Sequence, residues 1–91
     1  MQDDFYRKLK KMLKDSGDLP GDYTFKFVIP NQNKELAELQ RIFDKANPQF
    51  STKQSKGGKY LSLTVQLFAL DEDYIIEYYK EASKVKGVIM L

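Results

Sequence analysis

Asp73, Glu77 and Glu81 stand at i, i+4 and i+8, a spacing that lines three carboxylates along one stripe of a helix. Two such groups can divide the work of general acid and general base when burial lifts the pKa of one of them. The surrounding residues favour a plainer role. Asp71, Glu72 and Asp73 open the helix, where acids complement its macrodipole, and Glu77 with Lys80 and Glu81 with Lys84 form exposed i, i+3 pairs contributing about 0.2–0.5 kcal/mol each. Nothing apolar is placed to raise a carboxylate pKa, so the stripe reads as a solvated face. The 91-residue chain has no histidine and no cysteine, which removes the commonest general base, the usual zinc ligands and the thiol nucleophile. No catalytic residue, metal ligand or cofactor site is assigned, and the expectation is a protein that binds and does not catalyse.

A second cluster is cationic. Lys53, Lys56 and Lys59 surround Ser55, with Ser51 and Thr52 just before, and no acid occurs between Ser51 and Leu70. Gly57-Gly58-Lys59 invites comparison with the phosphate-binding pattern G-x-x-x-x-G-K-[ST], which needs a strand before it and a helix after it. Lys53 stands where the first glycine belongs and Tyr60 where the magnesium-holding hydroxyl belongs, and the segment joins two strands. What remains is a hairpin tip at which Lys53, Ser55, Lys56 and Lys59 form a candidate contact for an anion or a partner.

The third pattern is at the start of the chain. Phe5, Leu9, Met12 and Leu13 give an apolar stripe over Asp3 to Asp15, with acids at the front and lysines toward the back, as the macrodipole favours. Arg7, Lys11 and Lys14 form a basic stripe complementary to Asp73, Glu77 and Glu81. This helix is expected to dock on its own domain or on a second copy, which makes a homo-oligomer one expected assembly.

These residues must be held by elements that the patterning predicts. Apolar residues make up 42% and charged residues 31% of a chain with a formal charge of +2, values suited to one globular core and far from the excess of a dedicated nucleic-acid binder. Ser16 to Asp22, with Gly17, Pro20 and Gly21, separates residues 1–18 from a domain at 19–91. Tyr23 to Ile29 alternates as a strand with Phe25, Phe27 and Ile29 on one side. After Pro30, a helix capped by Asn31 or Asn33 carries Leu36, Leu39, Ile42, Phe43 and Ala46 and ends at Asn47-Pro48. Phe50 to Gln54 and Tyr60 to Ala69 form a hairpin, the second arm with Leu61, Leu63, Val65 and Leu67 on its core face. Asp71 caps a helix with the stripe Ile75, Tyr78, Tyr79, Ala82 and Val85, Gly87 supplies a left-handed cap, and Val88 to Leu91 is the last strand. The order predicts an α+β, ferredoxin-like βαββαβ fold, a four-stranded antiparallel sheet with two helices on one face, preceded by an extra helix. The absence of cysteine, of a signal peptide and of any long apolar run predicts a cytoplasmic protein with no membrane association.

The runs YTFKFVIP (Tyr23 to Pro30), SKGGKYLSLT (Ser55 to Thr64) and GVIML (Gly87 to Leu91) resemble the YbeD-like family of bacterial proteins of unknown function (domain of unknown function 493), over about Leu19 to Leu91. The resemblance implies a fold similar to the ACT regulatory domains that bind amino acids in metabolic enzymes. It implies no activity and assigns no site residue, and the loop Pro30 to Asn33 lacks the glycine that lets a ligand approach the backbone in many ACT domains. The expected function is a non-catalytic regulatory or protein-interaction module with an unidentified protein partner or small ligand. The alternative is a weak RNA-binding domain using the open sheet face and the basic hairpin. Against it, RNA-recognition modules stack bases on open-face aromatics, whereas Phe25 and Phe27 alternate toward the core.

Overall fold

The computed structural model describes residues 2–91; Met1 lies outside them. The chain runs α1 (Gln2–Ser16), β1 (Gly21–Pro30), α2 (Asn33–Phe43) continued by a 3-10 turn (Asp44–Ala46), β2 (Gln49–Gln54), β3 (Tyr60–Ala69), α3 (Glu72–Ala82) and β4 (Ile89–Met90). The sheet order is β2-β3-β1-β4, and each neighbouring pair is antiparallel. This is the ferredoxin-like arrangement, with α2 and α3 on one face.

The register follows from alternation in β1 and β3. Phe25 pairs with Val65, Phe27 with Leu63 and Ile29 with Leu61, so every apolar partner falls on the same face. Phe25, Phe27, Ile29, Leu63 and Val65 are fully buried beneath Leu39, Phe43, Ile75 and Tyr79. Aromatic rings hold the centre: the Phe25 ring lies 4.9 Å from Tyr79, 5.0 Å from Phe43 and 4.9 Å from Tyr23, in edge or tilted arrangements that favour attraction between rings.

Turn chemistry sets the connections. The hairpin between β2 and β3 closes through Gly57 and Gly58 at φ 90° and 74°, a region where side chains are strained. Its tip is held from inside, where the Tyr60 N–H donates to Ser55 Oγ at 3.0 Å, and from outside, where Asn31 Nδ2 donates to the Gly58 carbonyl at 2.9 Å. That bond corrects the expected cap of α2. Gln32 occupies the N-cap position without a side-chain hydrogen bond, because Asn31 is engaged across the hairpin. Asp71 does cap α3, accepting from the Tyr74 N–H at 2.9 Å. α3 ends at Ala82, and Ser83 to Gly87 then turns the chain so that β4 lies beside β1, with Leu91 N–H donating to the Lys26 carbonyl at 3.0 Å. Gly87 has the expected positive φ of 77°, five residues beyond the helix end.

α1 packs along α3 as a third helix in the same layer. Tyr6 approaches Lys80 and Lys10 approaches Asp73, so the two helices run antiparallel. The buried stripe differs from the expected one. Tyr6 is buried, with Leu9 and Leu13 partly so, while Phe5 is 48% and Met12 68% exposed. Residues 6, 9 and 13 satisfy a helical period as well as 5, 9 and 12 do. The partner surface chooses, because Tyr6 can lay its ring against α3 with the Lys80 ammonium 5.5 Å from its centroid. Tyr6 thereby joins the core of the sheet domain.

Candidate functional site

The helix layer carries a groove of about 580 Å³ along the outer side of α3. Ile42, Leu70, Tyr74 and Tyr78 contribute its apolar lining, and Asp71, Asp73, Glu77 and Glu81 make an acidic rim interrupted only by Lys45. The helical period produces both features, since residues 73, 77 and 81 share one stripe and 74 and 78 the adjacent one. Leu70 is 60% exposed just before the helix cap, an apolar residue with nothing over it. The expected carboxylate stripe is therefore real as a surface. Each acid faces a lysine: Asp73 to Lys10 at 3.0 Å, Glu77 to Lys80 at 3.9 Å and Glu81 to Lys84 at 3.4 Å. The three carboxylates are more than half exposed, and such pairs in water contribute at most about 1 kcal/mol. Asp73 also raises the Lys10 pKa, by hydrogen bond and then by charge. Among the described residues, no set of three carboxylates is placed to share a metal ion.

Of the basic residues expected to dock α1, Arg7 instead pairs with Asp4 on its own helix at 3.7 Å, and Lys11 and Lys14 are exposed. Lys10 makes the contact to Asp73. The shift by one position is the electrostatic counterpart of Tyr6 replacing Phe5 in the packed stripe. The solvent face of α1 therefore presents Phe5, Lys8, Lys11 and Met12.

Tyr78 in the groove lining and Tyr79 next to it on α3 both have phenol pKa values raised above the ordinary one. Burial, then the interaction with the Tyr74 hydroxyl, pushes the Tyr78 phenol up to about 12, and burial followed by the hydrogen bond with Tyr23 also raises Tyr79. The Tyr23 and Tyr79 hydroxyls are 2.9 Å apart. Above pH 10 phenols in the unfolded chain lose protons that these two retain, so unfolding releases protons and stability falls as pH rises. The stabilisation is fully present below pH 10 and declines through the interval up to about 12. Thermal melting from pH 8 to 11.5 should show this decline, and Tyr79→Phe should flatten it; an unchanged slope would exclude the Tyr79 contribution.

The opposite face of the sheet has no helix over it. Lys26, Thr64 and Ser51 are cross-strand neighbours in one row, and Val28, Ser62 and Lys53 in the next. A shallow groove of about 350 Å³ lies over these rows, closed at one end by Leu91. Lys53 thus belongs with Lys26, two strands away, while Lys56 and Lys59 remain at the hairpin tip and the Ser55 hydroxyl is used within the turn. Lys26 was not among the expected contact residues. It lies 27 positions before Lys53, and only the β1–β3–β2 register brings them onto one surface. Phe25 and Phe27 are turned away from this face, leaving Tyr60 and Phe68 exposed toward its ends.

Sequence reasoning also passed over Glu35. This carboxylate is in the first turn of α2, only 7% exposed, with Oε2 lacking a hydrogen-bond partner. No motif marks it, because its burial, on the same side of α2 as Leu39 and Phe43, comes from tertiary packing.

Comparison with known proteins places the chain. The family described as "Protein of unknown function (DUF493)" matches residues 15–91. The chain belongs to that family. Its relatives include the UPF0250 proteins of Haemophilus influenzae strains PittEE and Rd, each 29% identical over 89 residues, covering 94% of this chain and 92% of the relative. Two solved structures share the fold. An uncharacterised protein from Thermotoga maritima superposes with a TM-score of 0.65 at 12% identity, over 78% of this chain and 91% of the other. The ACT domain from the GTP pyrophosphokinase of Chlorobium tepidum superposes with a TM-score of 0.54 at 14% identity, over 77% and 99%. The DUF493 region begins within α1, so most of that helix precedes it. Among the described residues, no helix is long and apolar enough to cross a membrane.

Proposed function

We propose that this chain is a non-catalytic regulatory module acting through protein contact, and that it self-associates by seating α1 of one copy in the α2–α3 groove of another. The observation that carries this reading is complementarity between two uncovered surfaces of one chain. The groove has an apolar lining and four carboxylates. The outer face of α1 has Phe5 and Met12 exposed among Lys8 and Lys11. A two-fold axis would place each helix in the other copy's groove and cover both surfaces at once, the self-complementary arrangement of closed dimers. Charge opposition would set the register and apolar burial the affinity.

Two further observations support a regulatory role over catalysis. The carboxylates closest to an enzyme-like constellation are exposed and face lysines. The ACT-like fold is, in the neighbour from Chlorobium tepidum, one domain of a GTP pyrophosphokinase, and by analogy the present chain would influence a separate protein.

Sedimentation velocity over a wide concentration range tests the assembly. A dimer is expected that weakens at high salt, and Met12→Glu or Leu70→Asp should each weaken it at least tenfold while the circular dichroism spectrum stays that of the parent. A monomer at every concentration would overturn this reading.

A further inference from the structure

We propose that the groove on the uncovered sheet face, between Lys26 and Lys53, binds the phosphate group of a small phosphorylated molecule. The site follows from register. Lys26 is opposite Thr64, which is opposite Ser51, and Lys53 is opposite Ser62, so the two lysines flank the central strand β3 on a diagonal. With strands about 4.8 Å apart and a rise of about 3.4 Å per residue, their Cα atoms lie about 12 Å apart. Flexible four-carbon stems let both ammonium groups lean over the middle of that diagonal. There the hydroxyls of Ser62 and Thr64 stand side by side on β3, with Ser51 beside Thr64.

The chemistry selects the ligand class. Two ammonium groups match the charge of about −1.5 to −2 on a phosphate monoester at neutral pH, and three hydroxyl donors suit its acceptor oxygens. A single carboxylate would leave one lysine unmatched. No acidic side chain lines the groove: Asp22 is two residues beyond Thr24 on the same face of β1, and β2 and β3 contain no acidic residue. Neither Lys26 nor Lys53 makes an ion pair among the described residues. The volume, about 350 Å³, is at the small end of ligand sites and suits a phosphate with one attached ring or sugar. Lys56 and Lys59, on the adjoining hairpin tip, add attraction at a distance without lining the groove. The α2–α3 groove lies on the other face of the sheet, so this site is independent of self-association.

The test is a titration of the isotope-labelled chain with inorganic phosphate and with adenosine monophosphate, followed by amide chemical shifts at low ionic strength. Sodium chloride of equal ionic strength and adenosine serve as controls. Saturating shifts at Lys26, Ser51, Ser62 and Thr64 are expected with the two phosphates and with neither control. The double variant Lys26→Gln/Lys53→Gln should weaken adenosine monophosphate binding at least tenfold, and Lys56→Gln/Lys59→Gln less than threefold. Equal losses in the two double variants would mean diffuse attraction to a basic hairpin and would overturn the site. So would shifts that chloride reproduces, or binding of a single-stranded oligoribonucleotide that adenosine monophosphate does not displace.

Discussion

Phe25→Ala should unfold at a much lower urea concentration than the parent chain, with about 3–5 kcal/mol of stability lost. Phe25 is fully buried, and its ring is within 5.0 Å, centroid to centroid, of Tyr23, Phe43 and Tyr79, which come from β1, α2 and α3. Truncation removes the apolar area of the ring and leaves a cavity where the sheet meets both helices, so collapse around it would require three elements to move together. A 91-residue domain has a total stability of roughly 5–14 kcal/mol, so this one change threatens the fold. The neighbouring residue supplies the control. Thr24 is exposed on the other face, and Thr24→Ala should change stability by no more than about 0.5 kcal/mol. Urea midpoints of the two variants decide the matter: similar values would mean that the two faces of β1 are not divided as described.

Gly87→Ala should cost about 1–3 kcal/mol and loosen β4 before anything else. Its φ of 77° places a side chain in the left-handed region, at a cost of about 1–2 kcal/mol. A Cβ there would also stand 3.0 Å from Cγ and 3.1 Å from Cδ of Pro30, and a proline ring cannot rotate away as a flexible side chain would. The gain from stiffening the unfolded chain, about 0.4–1 kcal/mol, offsets only part of this. The turn at Gly87 delivers Ile89 and Met90 to Val28 and Phe27, so a displaced turn pulls on the shortest strand of the sheet. Hydrogen exchange at the Leu91 amide, which donates to the Lys26 carbonyl, should therefore accelerate more than exchange at Phe27 or Leu63. Gly57→Ala offers the comparison, since its φ is 90° but nothing lies within 4 Å of the added carbon. If the two substitutions proved equally costly, the contact with Pro30 would have no part in the effect.

Much of the architecture was legible because local patterns and long-range packing agree. Alternation in Tyr23 to Ile29 and in Tyr60 to Ala69 assigns a buried face whatever the strands pair with, since a period of two leaves one apolar side to cover. Asp71 before an apolar helical stripe announces a cap, and Gly57-Gly58 announces a turn with positive φ, because both depend on residues close in sequence. The cap of α2 was not legible. Asn31 has the right side chain for it, but a hairpin carbonyl 27 residues away takes the bond.

The surfaces divide in the same way. That the chain has an acidic helical stripe, a cationic hairpin and an amphipathic first helix follows from residue order alone. Helical periodicity could not choose between Phe5 and Tyr6 as the docking residue, since the two differ by one position and both complete a stripe with Leu9. The neighbouring helix made the choice, by offering Lys80 to the Tyr6 ring and Asp73 to Lys10. Lys26 joined Lys53 because three strands align, a pairing between residues 27 apart that no local pattern encodes. Residue order determined which faces are apolar, which are charged and where the chain turns. Tertiary structure decided which charges meet, because that depends on register and packing between distant segments, and on those meetings both candidate sites depend.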